Sequence, residues 1–239
     1  MKKILSLLSL VIFLGTIGVA QEDYSKKPET KDQDKINTLF QKGKKHKKPH
    51  IGYFLGPEFA YTQFSGNKHV FLLGINMGVT FNHWVSVGLA GYGIVNSGNL
   101  KYYTHLYDDI NWKEQIANLY GGYGGLLLEF KVIPRSVVHV SFPLLIGGGG
   151  LTLMYRPDYT DKYDWGGYTT VDWDAFFIVQ PGVKAEFNIL KFFRIGIGVS
   201  YRYTPDLDLY LKMDEKKNQI PSNLINQFNA NLSLKFGKF

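Results

Sequence analysis

His139 and Ser141, in the stretch "VHVSF", are the residues whose types and spacing come nearest to covalent chemistry. Positions two apart on a β-strand share a face. An imidazole there could take the proton of the hydroxyl and leave a nucleophile. Such a pair also needs a carboxylate to orient the ring, and no Glu follows Ser141 within twenty residues. Two residues at period two arise often by chance. The better reading is a hydrogen-bonded pair inside the fold, and no catalytic residue is assigned.

A second set is made of charges spaced between apolar residues: Glu58, Glu129, Lys131, His139, Lys184, Glu186, Arg194, Arg202 and Lys235. Charges held away from water are costly unless paired, so this set predicts an interior ion-pair network. The alternative is an ion path through a narrow channel. An eight-stranded interior is just filled by side chains, which favours the plugged form.

The third set lies between the alternating stretches. Tyr103, Tyr107, Trp112, Tyr159, Asp161, Tyr163, Trp165 and Tyr168 offer broad contact area at low entropic cost and are read as a binding surface for an extracellular ligand. Asp158, Asp161 and Asp164 could offer oxygen to Ca²⁺ but lack the spacing and central Gly of an EF-hand loop, so no metal is assigned. "GGYGG" and "GGGG" fall inside long strands rather than on a strand-to-helix turn, so they form no phosphate cradle. No cofactor is expected.

The elements that must position these groups are strands. In "FFRIGIGVSYRYTP", Phe193, Ile195, Ile197, Val199, Tyr201 and Tyr203 alternate with Arg194, Gly196, Gly198, Ser200 and Arg202. That period of two continues through eight predicted strands: 51–64, 69–81, 84–96, 116–132, 137–154, 173–189, 192–203 and 228–239. Most are longer than the five or six residues usual in globular sheets and suit a tilted membrane crossing. With the N-terminus periplasmic, the tight turns are expected on one side and the long connections (97–115, 155–172, 204–227) on the other. The polar face is rich in Gly and amides, as a narrow lumen requires, and aromatic residues crowd the strand ends in two belts. The predicted fold is therefore all-β: an eight-stranded antiparallel up-and-down transmembrane β-barrel with its apolar face outward. Pro57, Pro143 and Pro181 sit inside strands, where they predict bulges, chiefly where the fifth and sixth strands meet.

The ends differ from this body. Lys2 and Lys3, an apolar run to Ile17 and small residues up to Ala20 form the pattern of a signal peptide over 1–20. Residues 21–50 hold nine Lys against five acids, a basic and disordered periplasmic tail that could meet an anionic surface or envelope polymer. The barrel, 51–239, carries 16 Lys and Arg against 15 Asp and Glu. That near balance excludes the basic face of a nucleic-acid binder. With no cysteine in the chain, disulfide and thiolate chemistry are excluded as well.

The segments "GGYGGLLLEF" (121–130) and "VHVSFPLLIGGGG" (138–150) resemble a family of small outer-membrane β-barrel proteins of Gram-negative bacteria, OmpA/OmpX-like in architecture. The resemblance spans residues 50–239 and implies location in the outer membrane, with loops extracellular, both termini periplasmic and lipid as a partner; it carries no activity. The last strand, "NANLSLKFGKF", looks like the signal read by the barrel-assembly machinery, with Phe236 in phase and Phe239 one residue out of phase. The His-and-Ser spacing is similar to that of the outer-membrane lipid A deacylases, which implies an alternative role as a lipid-modifying enzyme. The preferred expectation is a non-enzymatic structural or surface-interaction protein.

Overall fold

The structure, a computed structural model, describes residues 50–95, 100–108, 111–156, 167–205, 207–213 and 216–239. The signal segment and nearly all of the basic tail lie outside the described residues, as do Tyr159, Asp161, Tyr163 and Trp165. Eleven strands form: β1 (Ile51–Phe64), β2 (Lys68–Phe81), β3 (Val85–Val95), β4 (Lys101–Asp108), β5 (Asn111–Val132), β6 (Val138–Tyr155), β7 (Thr169–Leu190), β8 (Phe193–Tyr201), β9 (Tyr210–Met213), β10 (Lys216–Gln219) and β11 (Phe228–Lys238).

Eight of them, β3-β2-β1-β11-β8-β7-β6-β5, pair antiparallel in that order, and β5 pairs β3 to close the ring. Closure leaves no free sheet edge among these eight, so every backbone polar group of the wall can be paired within it. The faces follow the sequence period. Along β1 burial alternates residue by residue. Tyr53, Leu55, Phe59 and Tyr61 are exposed on the outside, while Glu58, Ala60 and Thr62 are buried inside. Leu73, Ile75 and Met77 on β2 and Val87 and Leu89 on β3 are likewise exposed. Leu89 keeps 58 % of its surface open, a large loss if the surrounding solvent were water. The barrel is built for a membrane.

Three expectations need correction. The turn at 65–67 is tight yet lies at the end of the long loops, because β1 runs up to Phe64 and Ser65 N–H donates to Leu224 O at 3.0 Å. Gly66 and Asn67, both at positive φ, make that turn without needing length. Second, the prolines cause no bulge. Register is unchanged from Ser141–Lys184 to Leu144–Pro181 in the β6–β7 ladder, and from Leu55–Phe236 to Glu58–Ser233 beside Pro57 in β1–β11. Each Pro lacks one N–H, and the long ladder on either side holds the register across the gap. The irregularities fall instead at Leu153/Met154 and at Asn188/Leu190.

Third, two of the long connections are folded. β4 pairs the upper part of β5 as a hairpin standing above the ring, and β9 pairs β10 as a second. The inner face also changes character toward these hairpins. Val70 and Leu72 on β2, Leu119 on β5, Leu151 and Leu153 on β6, and Phe176 and Ile178 on β7 all point inward and are buried. They join Leu100, Leu207, Leu209, Ile220, Leu224 and Ile225 in one apolar cluster. The loop end is thus an ordinary hydrophobic cap on an inside-out barrel.

Candidate functional site

Inward positions carry the predicted charge set, all nine residues buried and all but Arg202 below the cap. Lys235 on β11 lies between two carboxylates, Glu129 on β5 and Glu186 on β7, the latter at 2.6 Å. Lys131 meets Glu129 at 3.1 Å and donates to Ser86 Oγ at 2.7 Å. Glu186 also holds His139 Nε2 at 2.9 Å and faces Arg194 at 3.8 Å. Higher up, Lys184 pairs Glu58 at 2.6 Å, and Asn76 and Asn231 donate to the same carboxylate at 2.7 and 2.9 Å. Arg202 stands apart. Its Nε donates to Ile225 O at 2.8 Å and its Nη1 to the Tyr123 hydroxyl at 3.2 Å, so it ties the top of the lumen to the cap.

The network is tight but unequal. Five Lys and Arg are buried against three Glu. Asn76, Asn231, Ser86 and Thr80 were not singled out in the sequence as members, although their period-two placement inside the strands was the available signal. Chemically, crossed ion pairs of this kind fix side chains in place and fill the space a channel would need.

His139 and Ser141 share the lumen face as their spacing predicts, and the carboxylate missing from the local sequence is Glu186 on the next strand. His139 is 3 % exposed and Ser141 is fully buried, so the imidazole is spent on a hydrogen bond to Glu186 inside the lumen rather than presented to a substrate. No hydrogen bond joins the two side chains, and Ser141 Oγ has no partner among the described residues.

At the loop end, the cap is pinned to the wall by two side chains of β7. Asp172 Oδ2 accepts Tyr210 N–H and Asp174 Oδ2 accepts Asp208 N–H, each at 2.7 Å. Lys68 sits over the Tyr102 ring at 3.3 Å, and burial raises the Tyr102 hydroxyl to about 12. The Tyr210 phenol is raised as well, first because it donates its O–H to the Asp208 carboxylate and then by burial and the negative charges of Asp208 and Asp172. Of the predicted binding surface, Tyr103 and Tyr168 are exposed, at 57 % and 60 %. Tyr107 and Trp112 lie on the β4–β5 hairpin, with their side chains outside the described residues. Trp173, near the loop end of β7, is 67 % exposed as well, and its place in a strand hides it from a reading of the connections alone.

The turn-side mouth gathers groups that the sequence did not flag. The β2–β3 turn places Asn82 and His83 at φ 47° and 69°, a left-handed pair that turns the His83 ring inward. His83 stacks on His50 with ring centres 4.1 Å apart. Burial, and then the charges of His50, Arg135, Arg194 and Lys131, lower the His83 pKa to about 3. Phe236 is exposed and stacks on Phe193 at 4.7 Å, as an outward strand residue should. Phe239, by contrast, turns in and covers the Arg194 guanidinium at 3.9 Å.

The chain matches no family model and no curated protein in sequence. Among solved structures it is similar to Neisserial surface protein A, at 12 % identity and TM-score 0.45 over 81 % of this chain and all of that one. It is also similar to the N-terminal β-barrel domain of Pseudomonas aeruginosa OprF, at 11 % identity and TM-score 0.40 over 80 % and 99 %. A third is the attachment invasion locus protein Ail of Yersinia pestis, at 14 % identity and TM-score 0.35 over 78 % and 95 %. The fold assignment above rests on the closed ring of strands, independently of these likenesses.

Proposed function

We propose that this chain is an outer-membrane barrel of a Gram-negative bacterium that performs no covalent chemistry and conducts no ions, and that presents its loop cap outside the cell as a rigid surface for a ligand or partner. The observation that carries the reading is the division of the interior: crossed ion pairs fill the lower lumen, and an apolar core closes the upper mouth. A lumen sealed twice leaves the outer loops as the part free to act. A lipid-modifying role is disfavoured by the burial of His139 and Ser141 within the wall. Tyr103 on the β4–β5 hairpin, Trp173 on β7 and Tyr168 just before β7 form the aromatic part of the proposed surface.

Planar-bilayer recording on the refolded chain tests the sealed lumen: silence is expected, and steady unitary conductance would overturn it. Because the chain has no cysteine, orientation can be read directly. Tyr168→Cys should react with a membrane-impermeant maleimide on intact cells, and Arg135→Cys should not. The reverse pattern would place the cap inside.

A further inference from the structure

We propose that the turn-side mouth of the lumen is a binding site for a phosphate-like oxyanion, gripped by Arg194 and Arg135 and closed by Phe239. The argument begins with unmet hydrogen-bonding demand. Arg194 is 1 % exposed, yet its Nε and Nη1 have no hydrogen-bond partner among the described residues. Among the described residues its one carboxylate within ion-pair distance is Glu186 at 3.8 Å, and Glu186 already holds Lys235 and His139 more closely. A buried guanidinium left this way is costly, and native folds satisfy such groups.

Neighbouring groups ask for the same occupant. Arg135 Nε is buried without a partner, and so are both ring nitrogens of His83, itself 1 % exposed. The topology brings them together. Asn188 is the ladder partner of Arg194 and donates through Nδ2 to Ser136 O, the residue after Arg135, at 2.6 Å. His83 feels Arg135 and Arg194 strongly enough for both to disfavour its protonation. The buried lumen as a whole carries two more cations than carboxylates, and Arg194 is one of the two that lack a close acid. Two forked donors and a neutral imidazole, with Glu186 at 3.8 Å the one side-chain carboxylate within ion-pair distance of Arg194 among the described residues, suit an anion with several oxygens. The Phe239 ring stacked on Arg194 stands just past the last ladder pair, Tyr53–Lys238, so it can cover such an anion without breaking the sheet.

A phosphate group could come from solution or from a lipid headgroup at the nearby leaflet. The test uses the full chain folded in non-ionic, phospholipid-free micelles, with inorganic phosphate titrated in and the His83 imidazole resonances followed by NMR, assigned through His83→Asn. A saturable shift in the millimolar range is expected. It should weaken about tenfold or more in Arg194→Met, the effect of losing a forked, charge-assisted contact. If that variant does not fold, Arg135→Gln, at a half-buried turn position, should also weaken binding. Resonances that do not move, or that move equally in the variant, would overturn the site and leave water as its occupant. In phosphatidylglycerol bilayers, His83 already shifted and insensitive to added phosphate would assign the site to a headgroup. A retained phosphate response there would assign it to the free ion.

Discussion

The lower lumen and the loop cap are made by the same strands under opposite rules. On β5, Glu129 and Lys131 are buried inside while Leu126 and Phe130 are exposed outside. Further up that strand, Ala117 and Leu119 are buried inside at zero exposure, and Glu114 faces out. Nothing in the backbone changes between the two; β5 runs unbroken from Asn111 to Val132. What changes is the solvent. At about 3.3 Å per residue and a tilt near 40°, Ile116 stands roughly 35 Å above Phe130, beyond a hydrocarbon layer of about 25–30 Å. Above the lipid, apolar side chains gain by turning inward, and the strands return to the convention of a protein in water.

The largest expected effect attacks the lower region at its centre. Glu186→Gln removes the shared charge of Lys235, His139 and Arg194 and strands cations in a dry interior. Loss of one partner of a buried ion pair costs about 3–5 kcal/mol. Urea unfolding of the micelle-folded chain, followed by the gel shift between boiled and unboiled samples, should show it. A loss below about 1 kcal/mol would mean that the lumen is wet and its charges are screened.

The boundary between regions can be located by one substitution made twice. Leu89→Lys places an ammonium on the lipid-facing wall and should cost about 2–4 kcal/mol near the midplane. Ile116→Lys, at a position 45 % exposed on the outward face of the same sheet, should stay within about 0.5 kcal/mol. Equal penalties would mean that lipid reaches the cap.

A third change separates the stabilities. Leu209→Ala in the cap core, at zero exposure, should cost about 2–3 kcal/mol by cavity formation. That loss should appear locally. Amide exchange in β9 and β10 should rise, with the β1–β2 ladder unchanged, because the cap is held to the ring by few hydrogen bonds such as Asp172 to Tyr210. Exchange that rises throughout would make cap and ring one cooperative unit.

These contrasts also explain what the sequence could reveal. All eight ring strands were legible, because strict alternation from Ile51 onward leaves no other element that could satisfy both faces. The lumen charges were legible for the same reason. The cap was not. Leu207, Leu209 and Leu211 do alternate, but β9 is only four residues long and its apolar positions are flanked by Asp and Lys, which read as loop. The inward Leu72 and Ile178 were hidden because both faces of their strands are apolar there, so alternation gives no contrast. The pairing of Glu186 with His139 joins residues far apart in sequence and follows only from the β6–β7 register.

The smallest effect concerns the turn-side mouth, where burial of His83 couples folding to pH. His83 has its pKa lowered to about 3, by burial first and then by His50, Arg135, Arg194 and Lys131. An unfolded His titrates near 6.5. Between those values the unfolded chain binds the extra proton and the folded chain does not, so stability is full above about pH 6.5 and declines as pH falls toward 3. His83→Asn should flatten that decline, since Asn keeps the left-handed turn at φ 69° and carries no titratable ring. The measurement is the unfolding midpoint at several pH values in this window, wild type against variant. Phosphate provides the finer cut: an anion at Arg194 would offset the cations around His83, raise its pKa, and shrink the acid sensitivity of the wild type while leaving the variant unchanged. Acid sensitivity that persists in His83→Asn would place the titrating group elsewhere and leave the mouth electrostatically silent.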